Sequence, residues 1–256
     1  MKAFDLTGKV AIVTGSSKGI GRSIVTHLAE AGAKVVVSSR KLPACEAVAA
    51  EINARHGDTR AIAIAANISS KEALKGLVDS AVAAFGRLDI AVCNAASNPY
   101  YGSMEGISDD QFRKVLENNI LSNHWLITFA RPEIIRQGGG SIIIVSSTGA
   151  YRGSPVLGAY CISKIADIQL ARNLAVELGP KNVRVNCIVP GLVRTDFARA
   201  LWEDEASLAE YLKASSLKRI GEPDDIGPAA VFLAADAGRF MTGETLVIDG
   251  GTNIHE

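Results

Sequence analysis

Short apolar runs alternate along the chain with longer stretches in which hydrophobic residues recur at helical spacing. Runs of this kind are typical of buried strands, and the stretches between them are typical of amphipathic helices. Strands that alternate with helices favour a parallel sheet covered on both faces, so the pattern predicts a doubly wound α/β fold. The predicted strands are residues 10–13, 34–38, 60–65, 90–93, 141–146, 184–188 and 245–248.

Start and stop signals mark several of the predicted helices. Residues 69–72 (Ser-x-x-Glu) and 108–111 (Ser-x-x-Gln) have the spacing of capping boxes, and Pro43 suits a first helical turn. The three glycines at 138–140 are expected to end a helix before the fifth strand. Residues 195–217 show no clear period and follow the sixth strand, where ligands bind in such folds, so they are predicted to form a substrate-binding lid.

Length and composition predict one domain over residues 1–256, with 48% hydrophobic residues to fill its core. Lysine plus arginine balances aspartate plus glutamate at 27 each, which gives no electrostatic signal for nucleic acid or an anionic membrane. No apolar run approaches the roughly 20 residues of a membrane span, and Met1 to Asp5 lack a signal-peptide core. We therefore expect a cytoplasmic protein.

Cysteines and histidines are spread too widely to suggest a metal site or a disulfide framework. In a reducing compartment the cysteines are expected to be free thiols, and no metal is expected. These residues are Cys45, Cys93, Cys161, Cys187, His27, His56, His124 and His255.

The chemistry is indicated by a hydroxyl, a phenol and an amine around the fifth strand. Ser147 follows that strand, and Tyr160 and Lys164 lie four apart on the next helix, so they share a face. A cation beside a tyrosine favours the phenolate and lowers its pKa, while a nearby serine can hold a substrate oxygen. This set can interconvert an alcohol and a carbonyl if a hydride carrier is bound.

The hydride carrier is indicated by a glycine-rich turn between the first strand and the first helix, Thr14 to Gly21. Glycines there let the backbone approach a pyrophosphate, and the helix amino terminus offers free N–H groups to it. The spacing is Gly-x-x-x-Gly-x-Gly, which differs from the common Gly-x-Gly-x-x-Gly.

Taken in order, these motifs resemble the short-chain dehydrogenase/reductase family over essentially the whole chain. One departure is Ala96, where the family usually has glycine. The resemblance rests on Thr14 to Gly21, Asn94-Ala95-Ala96, Asn119, Ser147, Tyr160 with Lys164, and Pro190-Gly191 with Thr195.

The resemblance implies a Rossmann-type sheet of order 3-2-1-4-5-6-7, an NAD(P)(H) cofactor and a catalytic tetrad of Asn119, Ser147, Tyr160 and Lys164. In it, Tyr160 is the acid/base, Ser147 orients the substrate oxygen, and Lys164 binds the nicotinamide ribose and lowers the pKa of Tyr160. Asn119, chosen over Asn118 from the spacing, holds a water of the proton relay.

The cofactor is expected to contact the glycine loop, the ends of several strands and two tetrad residues. The Pro-Gly turn after the sixth strand is expected to bracket the nicotinamide, and Asn67 to bond the adenine. The expected contacts are Gly15, Ser17, Lys18, Gly19, Ile20, Gly21, Ser39, Arg40, Asn67, Asn94, Ala95, Tyr160, Lys164, Pro190, Gly191, Val193 and Thr195.

NADP(H) is preferred over NAD(H) in this prediction because of the residues that end the second strand. Ser39 occupies the position where NAD-selective sites place a carboxylate, so nothing there repels a phosphate. Arg40 follows with a guanidinium suited to bidentate phosphate binding, and Lys18 adds a second cation.

The substrate is expected to be a hydrophobic or aromatic carbonyl, because the residues beside the site are apolar or amphipathic and carry few charges. The expected contacts are Ser147, Tyr151, Leu157, Tyr160, Phe197 and Trp202.

The chain thus resembles the NADP(H)-dependent carbonyl/retinal reductase branch, which implies a carbonyl reductase or alcohol dehydrogenase. Alternatives are a 3-oxoacyl thioester reductase, an NAD-dependent sugar or polyol dehydrogenase and a catalytically silent dinucleotide-binding regulator. Family resemblance further implies a homotetramer assembled through 109–136, 160–177 and 244–251.

Overall fold

A parallel sheet of seven strands forms the centre of the molecule in the computed structural model, which describes residues 2–254. His255, one of the four scattered histidines, lies outside the described residues. The strands pair in the order β3-β2-β1-β4-β5-β6-β7, which confirms the predicted topology. They are β1 (Val10–Thr14), β2 (Lys34–Ser39), β3 (Ala61–Ala65), β4 (Ile90–Cys93), β5 (Gly140–Val145), β6 (Val183–Pro190) and β7 (Thr245–Ile248).

Helices cover both faces of the sheet because its central strands are apolar on both sides. Strands β1, β4, β5 and β6 are almost entirely buried, as a parallel sheet in a doubly wound fold requires. The α-helices are α1 (Gly19–Glu30), α2 (Leu42–His56), α3 (Lys71–Phe85), α4 (Asp109–Leu116), α5 (Ser122–Arg136), α6 (Gly158–Leu178), α7 (Arg199–Trp202), α8 (Glu205–Ala214) and α9 (Gly227–Ala234).

Two hydrophobic clusters make up the core, one on each face of the sheet. The first packs α1, α2 and α9 against the sheet, and the second packs α3, α5 and α6 against the opposite face. Side chains alternate along each strand, so Ile12 and Val13 of β1 belong to different clusters.

The predicted helix signals are confirmed except for one capping box. Ser108 and Gln111 form a reciprocal box at the start of α4, and Pro43 lies in the first turn of α2. The proposed cap at Ser69 is wrong by one residue. Ser70 caps α3 by accepting from the backbone N–H of Ala73 at 3.1 Å, while Ser69 donates its hydroxyl to Asn118 at 2.8 Å.

The segment 195–217 contains two helices that the hydrophobic pattern did not indicate. Neither α7 nor α8 has a buried residue, so neither needs the apolar face that would reveal it in the sequence. Asp204 caps α8 by accepting from the N–H of Ser207 at 2.8 Å.

At the amino ends of the strands, one buried carboxylate joins β1 to β4. Asp89, only 1% exposed, accepts from the N–H of Val10 at 2.9 Å and from both nitrogens of the Arg87 fork at 2.7 and 2.8 Å. These bonds keep the two central strands in register at the edge of the sheet opposite the site described below.

We expect Asp89→Asn to lower the free energy of unfolding by about 1–3 kcal/mol, because a neutral amide cannot replace the charged carboxylate that accepts two hydrogen bonds from the Arg87 fork. The measurement is chemical unfolding followed by circular dichroism. Dinucleotide affinity should stay unchanged, since Asp89 lies at the opposite edge of the sheet. An unchanged unfolding midpoint would contradict this role.

Candidate active site

Strand ends bring the predicted site residues to one edge of the sheet. Because β1, β4, β5 and β6 are parallel, the segments that follow Thr14, Cys93, Val145 and Pro190 all emerge on the same side. This edge is where ligands bind in open α/β sheets.

The glycine loop between β1 and α1 packs tightly against the end of β4. Gly15 has a φ of 66°, and a Cβ added there would lie 2.9 Å from the amide nitrogen of Asn94. A Cβ at Gly21 would collide with that same nitrogen and with the carbonyl oxygen of Gly15. Asn94 fixes the contact by donating to the carbonyl oxygen of Thr14 at 2.9 Å. Only glycine fits at these two positions.

The first turn of α1 is well suited to hold phosphate groups. Its N-cap residue, Lys18, makes no side-chain hydrogen bond to the turn, which leaves the N–H groups there for a ligand. The loop is anchored from below by Ser16, whose buried hydroxyl donates to Val13 O and accepts from the N–H of Ser38. A dinucleotide pyrophosphate therefore fits this cradle.

The three residues predicted to select the cofactor differ in exposure and in pairing. Arg40 is exposed, and its guanidinium has no hydrogen-bond or ion-pair partner within residues 2–254. Ser39 is half-buried beside the thiol of Cys45, 3.1 Å away. Lys18 is not free, since its Nζ lies 2.9 Å from Asp196 Oδ2 in an exposed ion pair.

The remaining cofactor candidates lie around the same edge. Asn67 is exposed after β3, and Ala95 donates its N–H to the Thr14 hydroxyl at 3.2 Å. After β6, the methyl group of Thr195 approaches Gly19, where an added Cβ would lie 3.1 Å from it. Ser17 and Ile20 belong to the glycine loop, and Gly191 and Val193 to the turn after β6.

Tyr160, Ser147 and Lys164 come together where α6 crosses the end of β5. Ser147 shares a hydrogen bond with the half-buried Tyr160. Lys164 is 2% exposed, and its Nζ lies 5.7 Å from the centre of the Tyr160 ring. The predicted convergence of a hydroxyl, a phenol and an amine is therefore present.

Burial raises the pKa of Tyr160 above its usual value near 10, while the Lys164 ammonium and the Ser147 hydrogen bond act in the opposite direction. The predicted lowering effect of Lys164 is thus present, but burial outweighs it, so the pKa of Tyr160 lies above its usual value. Because Tyr160 keeps its proton at neutral pH, the side chain is ready to act as a proton donor.

A single π-helical turn, Glu117–Leu121, lies between α4 and α5 and turns two asparagines inward. Asn119 donates to the Ser163 hydroxyl on α6 at 3.0 Å and accepts from the N–H of Ser97 at 2.8 Å. Asn118 instead bonds the hydroxyls of Ser69 and Ser97. Of the two, Asn119 is the one joined directly to α6. Such π turns often occur at functional sites.

Two buried polar residues near Lys164, namely Asp167 and Asn123, were not identified from the sequence. Asp167 is fully buried and accepts from Lys164 Nζ at 2.9 Å and from Asn123 Nδ2 at 2.9 Å. Lys164 also donates to Val145 O at 3.0 Å. The available signal was an acidic residue three positions after the lysine, on the same face of a buried helix.

The predicted substrate residues surround Tyr160 unevenly. Phe197 lies against the Tyr160 ring, with ring centres 5.9 Å apart, and Leu157 precedes the first turn of α6. Trp202 donates its indole N–H to Thr195 O at 2.9 Å and stacks with Arg194, the residue just before the 195–217 segment. Tyr151 donates its hydroxyl to Thr245 at 3.1 Å, which ties the loop after β5 to β7.

A family model described as enoyl-(acyl carrier protein) reductase matches residues 15–253. Dehydrogenase/reductase SDR family member 4 from Sus scrofa is 41% identical over 249 residues, covering 96% of this chain and 88% of the relative. The chain belongs to the short-chain dehydrogenase/reductase family. It is therefore an oxidoreductase of a family that uses NAD(P)(H).

Solved structures of this family share the whole fold. A 7α-hydroxysteroid dehydrogenase in complex with NADH and 7-oxo glycochenodeoxycholic acid has a TM-score of 0.93 and 35% identity, covering 98% of this chain and 96% of its own. A gluconate 5-dehydrogenase from Burkholderia cenocepacia in complex with NADP and tartrate has a TM-score of 0.94 and 27% identity, covering 100% and 99%.

Two further structural findings concern metals and membranes. Within the described part of this family member, no three His, Cys, Asp or Glu side chains are grouped to hold a metal ion. Among the same residues, no helix has the length and apolar character needed to cross a bilayer.

We expect Gly21→Ala to abolish measurable dinucleotide binding, because the added methyl group must displace the backbone at Gly15 and the amide of Asn94. The measurement is titration of the protein with NADPH, followed by cofactor fluorescence. Gly76→Ala is the matched control, since Gly76 lies in α3 with nothing within 4 Å of its added Cβ. The control should bind normally, and normal binding by the Gly21 variant would refute the cradle.

Proposed function

We propose that this chain is an NADP(H)-dependent carbonyl reductase or alcohol dehydrogenase. The observation that carries the proposal is the convergence of Ser147 and the buried Lys164 ammonium on a phenol that remains partly open to solvent. Acid/base exchange at an oxygen atom is the chemistry that this arrangement serves.

In the reductive direction, Ser147 holds the carbonyl oxygen of the substrate and Tyr160 donates its proton to it. A nicotinamide cofactor, when bound, would supply the hydride for the carbonyl carbon. The tyrosine is left as a phenolate, which the Lys164 ammonium stabilises until a proton returns from solvent. Oxidation of an alcohol uses the same residues in reverse, with Tyr160 accepting the proton.

Within this proposal, Lys164 also holds the nicotinamide ribose, and Asn119 assists the proton relay. The hydrogen bonds of Asn119 to Ser97 and Ser163 support the relay assignment, because they place Asn119 against the helix that carries Tyr160 and Lys164.

An apolar carbonyl is the substrate class that we propose. Phe197 packs against the Tyr160 ring, and Leu157 is the N-cap residue of the helix that carries Tyr160. A steroid ketone is the ligand named with one similar structure, and this agrees with an apolar pocket. The description of the matching family model favours a thioester-linked substrate as the second candidate.

NADP(H) is the proposed cofactor preference. Arg40 is exposed and unpaired within residues 2–254, while Ser39 brings no carboxylate to this position. The Lys18–Asp196 pair is no obstacle, because an exposed ion pair is screened by water and adds little stability, so a phosphate can replace the carboxylate. Similar structures hold NADH in one case and NADP in another, so the residues after β2 carry this argument.

Further parts of the proposal concern the lid, assembly and location. Residues 195–217 serve as the lid, supported by helices α7 and α8 without buried residues. A homotetramer is supported by exposed apolar side chains on α6, where Ile162, Ile165 and Val176 lie along one stripe. A cytoplasmic location agrees with four free cysteines.

We expect Tyr160→Phe to lower kcat/KM for ketone reduction at least about 10²–10⁴-fold, because only the proton donor is removed. NADPH affinity and the melting temperature should stay near wild type. Tyr100→Phe is the matched control, since the Tyr100 hydroxyl donates to Ser103 O in an exposed loop. The measurement is NADPH oxidation with ketones, aldehydes and acyl thioesters, and near-normal turnover by the Tyr160 variant would exclude the mechanism.

We expect Arg40→Ala to raise the KM for NADPH tenfold or more while changing the KM for NADH little. The reason is that hydrogen bonds to charged groups are worth about 1.5–3 kcal/mol. Arg22→Ala is the control, because Arg22 is already engaged by Glu51. Steady-state kinetics with both cofactors provide the measurement. A wild-type preference for NADH over NADPH in kcat/KM would overturn the cofactor proposal.

A further inference from the structure

A fully buried ion pair lies behind the reacting phenol. Lys164 and Asp167 are 3% and 0% exposed at the side chain, and Nζ lies 2.9 Å from Oδ2. Burying a charge in a protein interior is costly unless that charge is paired and hydrogen-bonded, so this arrangement requires an explanation.

Every oxygen of the Asp167 carboxylate has a donor. Lys164 donates to Oδ2, and Asn123 on α5 donates to Oδ1 at 2.9 Å. Asn123 is itself fixed, because its amide also donates to the carbonyl oxygen of Asn119 at 2.6 Å. The carboxylate is thereby attached to the π turn as well as to the helix that carries Tyr160.

The Lys164 ammonium is held from two sides. Asp167 is one acceptor, and the carbonyl oxygen of Val145 at the end of β5 is the other, at 3.0 Å. An ammonium has three donors, so one remains for a ligand at the open edge of the sheet. The two bonds fix where that donor and the positive charge lie relative to Tyr160.

We propose that Asp167 is a positioning residue, which clamps the Lys164 ammonium so that it stays charged and directed at the Tyr160 phenol. This inference rests on the proposed function, because it assigns Lys164 to the same acid/base site. Asp167 itself lies behind the lysine and acts through it.

The other titratable groups near the pair cannot replace this carboxylate. Those facing it are Tyr160, Cys93 on β4 and Cys187 on β6, while α5 brings only the uncharged Asn123. Burial raises the pKa of Cys187 to about 12 and raises the pKa of Cys93 further, so both thiols are neutral near pH 7.

Burial by itself would lower the pKa of Lys164, but Asp167 and Tyr160 together raise it above its usual value. Burial also raises the pKa of Asp167, against the opposing effects of Lys164 and Asn123. Without the carboxylate, burial dominates and Lys164 loses its proton at a pH below its usual value near 10.4.

This reasoning gives a distinct effect of pH on stability. In the wild type, the raised lysine pKa contributes stability that is fully present below pH about 10.4 and is lost above it. In Asp167→Asn, the unfolded chain binds more protons than the folded one between the lowered pKa and about 10.4. The stability of the variant therefore rises with pH across that window.

The experiment compares wild type with Asp167→Asn in the absence of any ligand, by melting temperature from pH 6 to 10. We expect Asp167→Asn to melt at a lower temperature than wild type. This difference in melting temperature should shrink by about 3–5 °C for each pH unit between the lowered lysine pKa and about 10.4. Asp89→Asn is the matched control, because it also removes a buried, ion-paired carboxylate but leaves Lys164 untouched. The difference in melting temperature between Asp89→Asn and wild type should stay constant above pH 7.

The second readout is the pH profile of kcat/KM for NADPH-dependent ketone reduction. We expect Asp167→Asn to lose activity about tenfold per pH unit above the lowered pKa of Lys164, while the wild type stays level to about pH 9. Combining Asp167→Asn with Asn123→Asp returns a carboxylate to the neighbouring position and should restore the profile toward wild type. If Asp167→Asn alone does not fold, the double variant is compared with wild type instead.

A pH-independent melting deficit in Asp167→Asn, with a kcat/KM profile parallel to wild type, would overturn the proposal and leave Asp167 a packing residue. The proposal would also be overturned if the wild-type melting or kcat/KM profile showed Lys164 titrating near neutral pH. Failure of the proposed function gives a different result. The wild type would then reduce no carbonyl compound, while the melting profiles would still report whether Asp167 keeps Lys164 charged.

Discussion

All seven strands of the sheet run in the same direction, and the rest of the structure depends on that constraint. A parallel sheet buried on both faces carries polar side chains mainly near its ends, because its middle contacts two hydrophobic clusters. The two ends then differ in role. The amino ends hold Asp89, which joins two strands, whereas the carboxyl ends hold the glycine loop and the Tyr160 site.

The candidate site works through a balance between burial and charge. Burial favours a protonated Tyr160, and the neighbouring ammonium opposes it, so the phenol keeps its proton while its ionised form remains supported. The same burial would neutralise Lys164 if no carboxylate were near. Asp167 is therefore linked to Tyr160 through the lysine, although it does not belong to the four residues that the family resemblance implies.

Several sequence predictions succeeded because they rest on short-range patterns. The seven strands follow from apolar runs, the turn after β1 from its glycines, and the spacing of Tyr160 and Lys164 from one turn of helix. Predictions failed where a side chain has a distant partner. Ser69 looked like a helix cap, yet its hydroxyl bonds Asn118, 49 positions away, and Ser70 takes the cap instead.

The sequence by itself determined the parallel sheet, the glycine turn after β1 and the placement of Tyr160 and Lys164 on one helix face, since each depends on residues close together in the chain. Only the tertiary structure decided which groups surround them. It joined Asp167 and Asn123 across two helices, bound Lys18 to Asp196 and left Arg40 unpaired among the described residues. It also decided that burial outweighs lysine at Tyr160. The physical reason is that electrostatic effects depend on three-dimensional distance and on exclusion of water, and neither is encoded in local spacing.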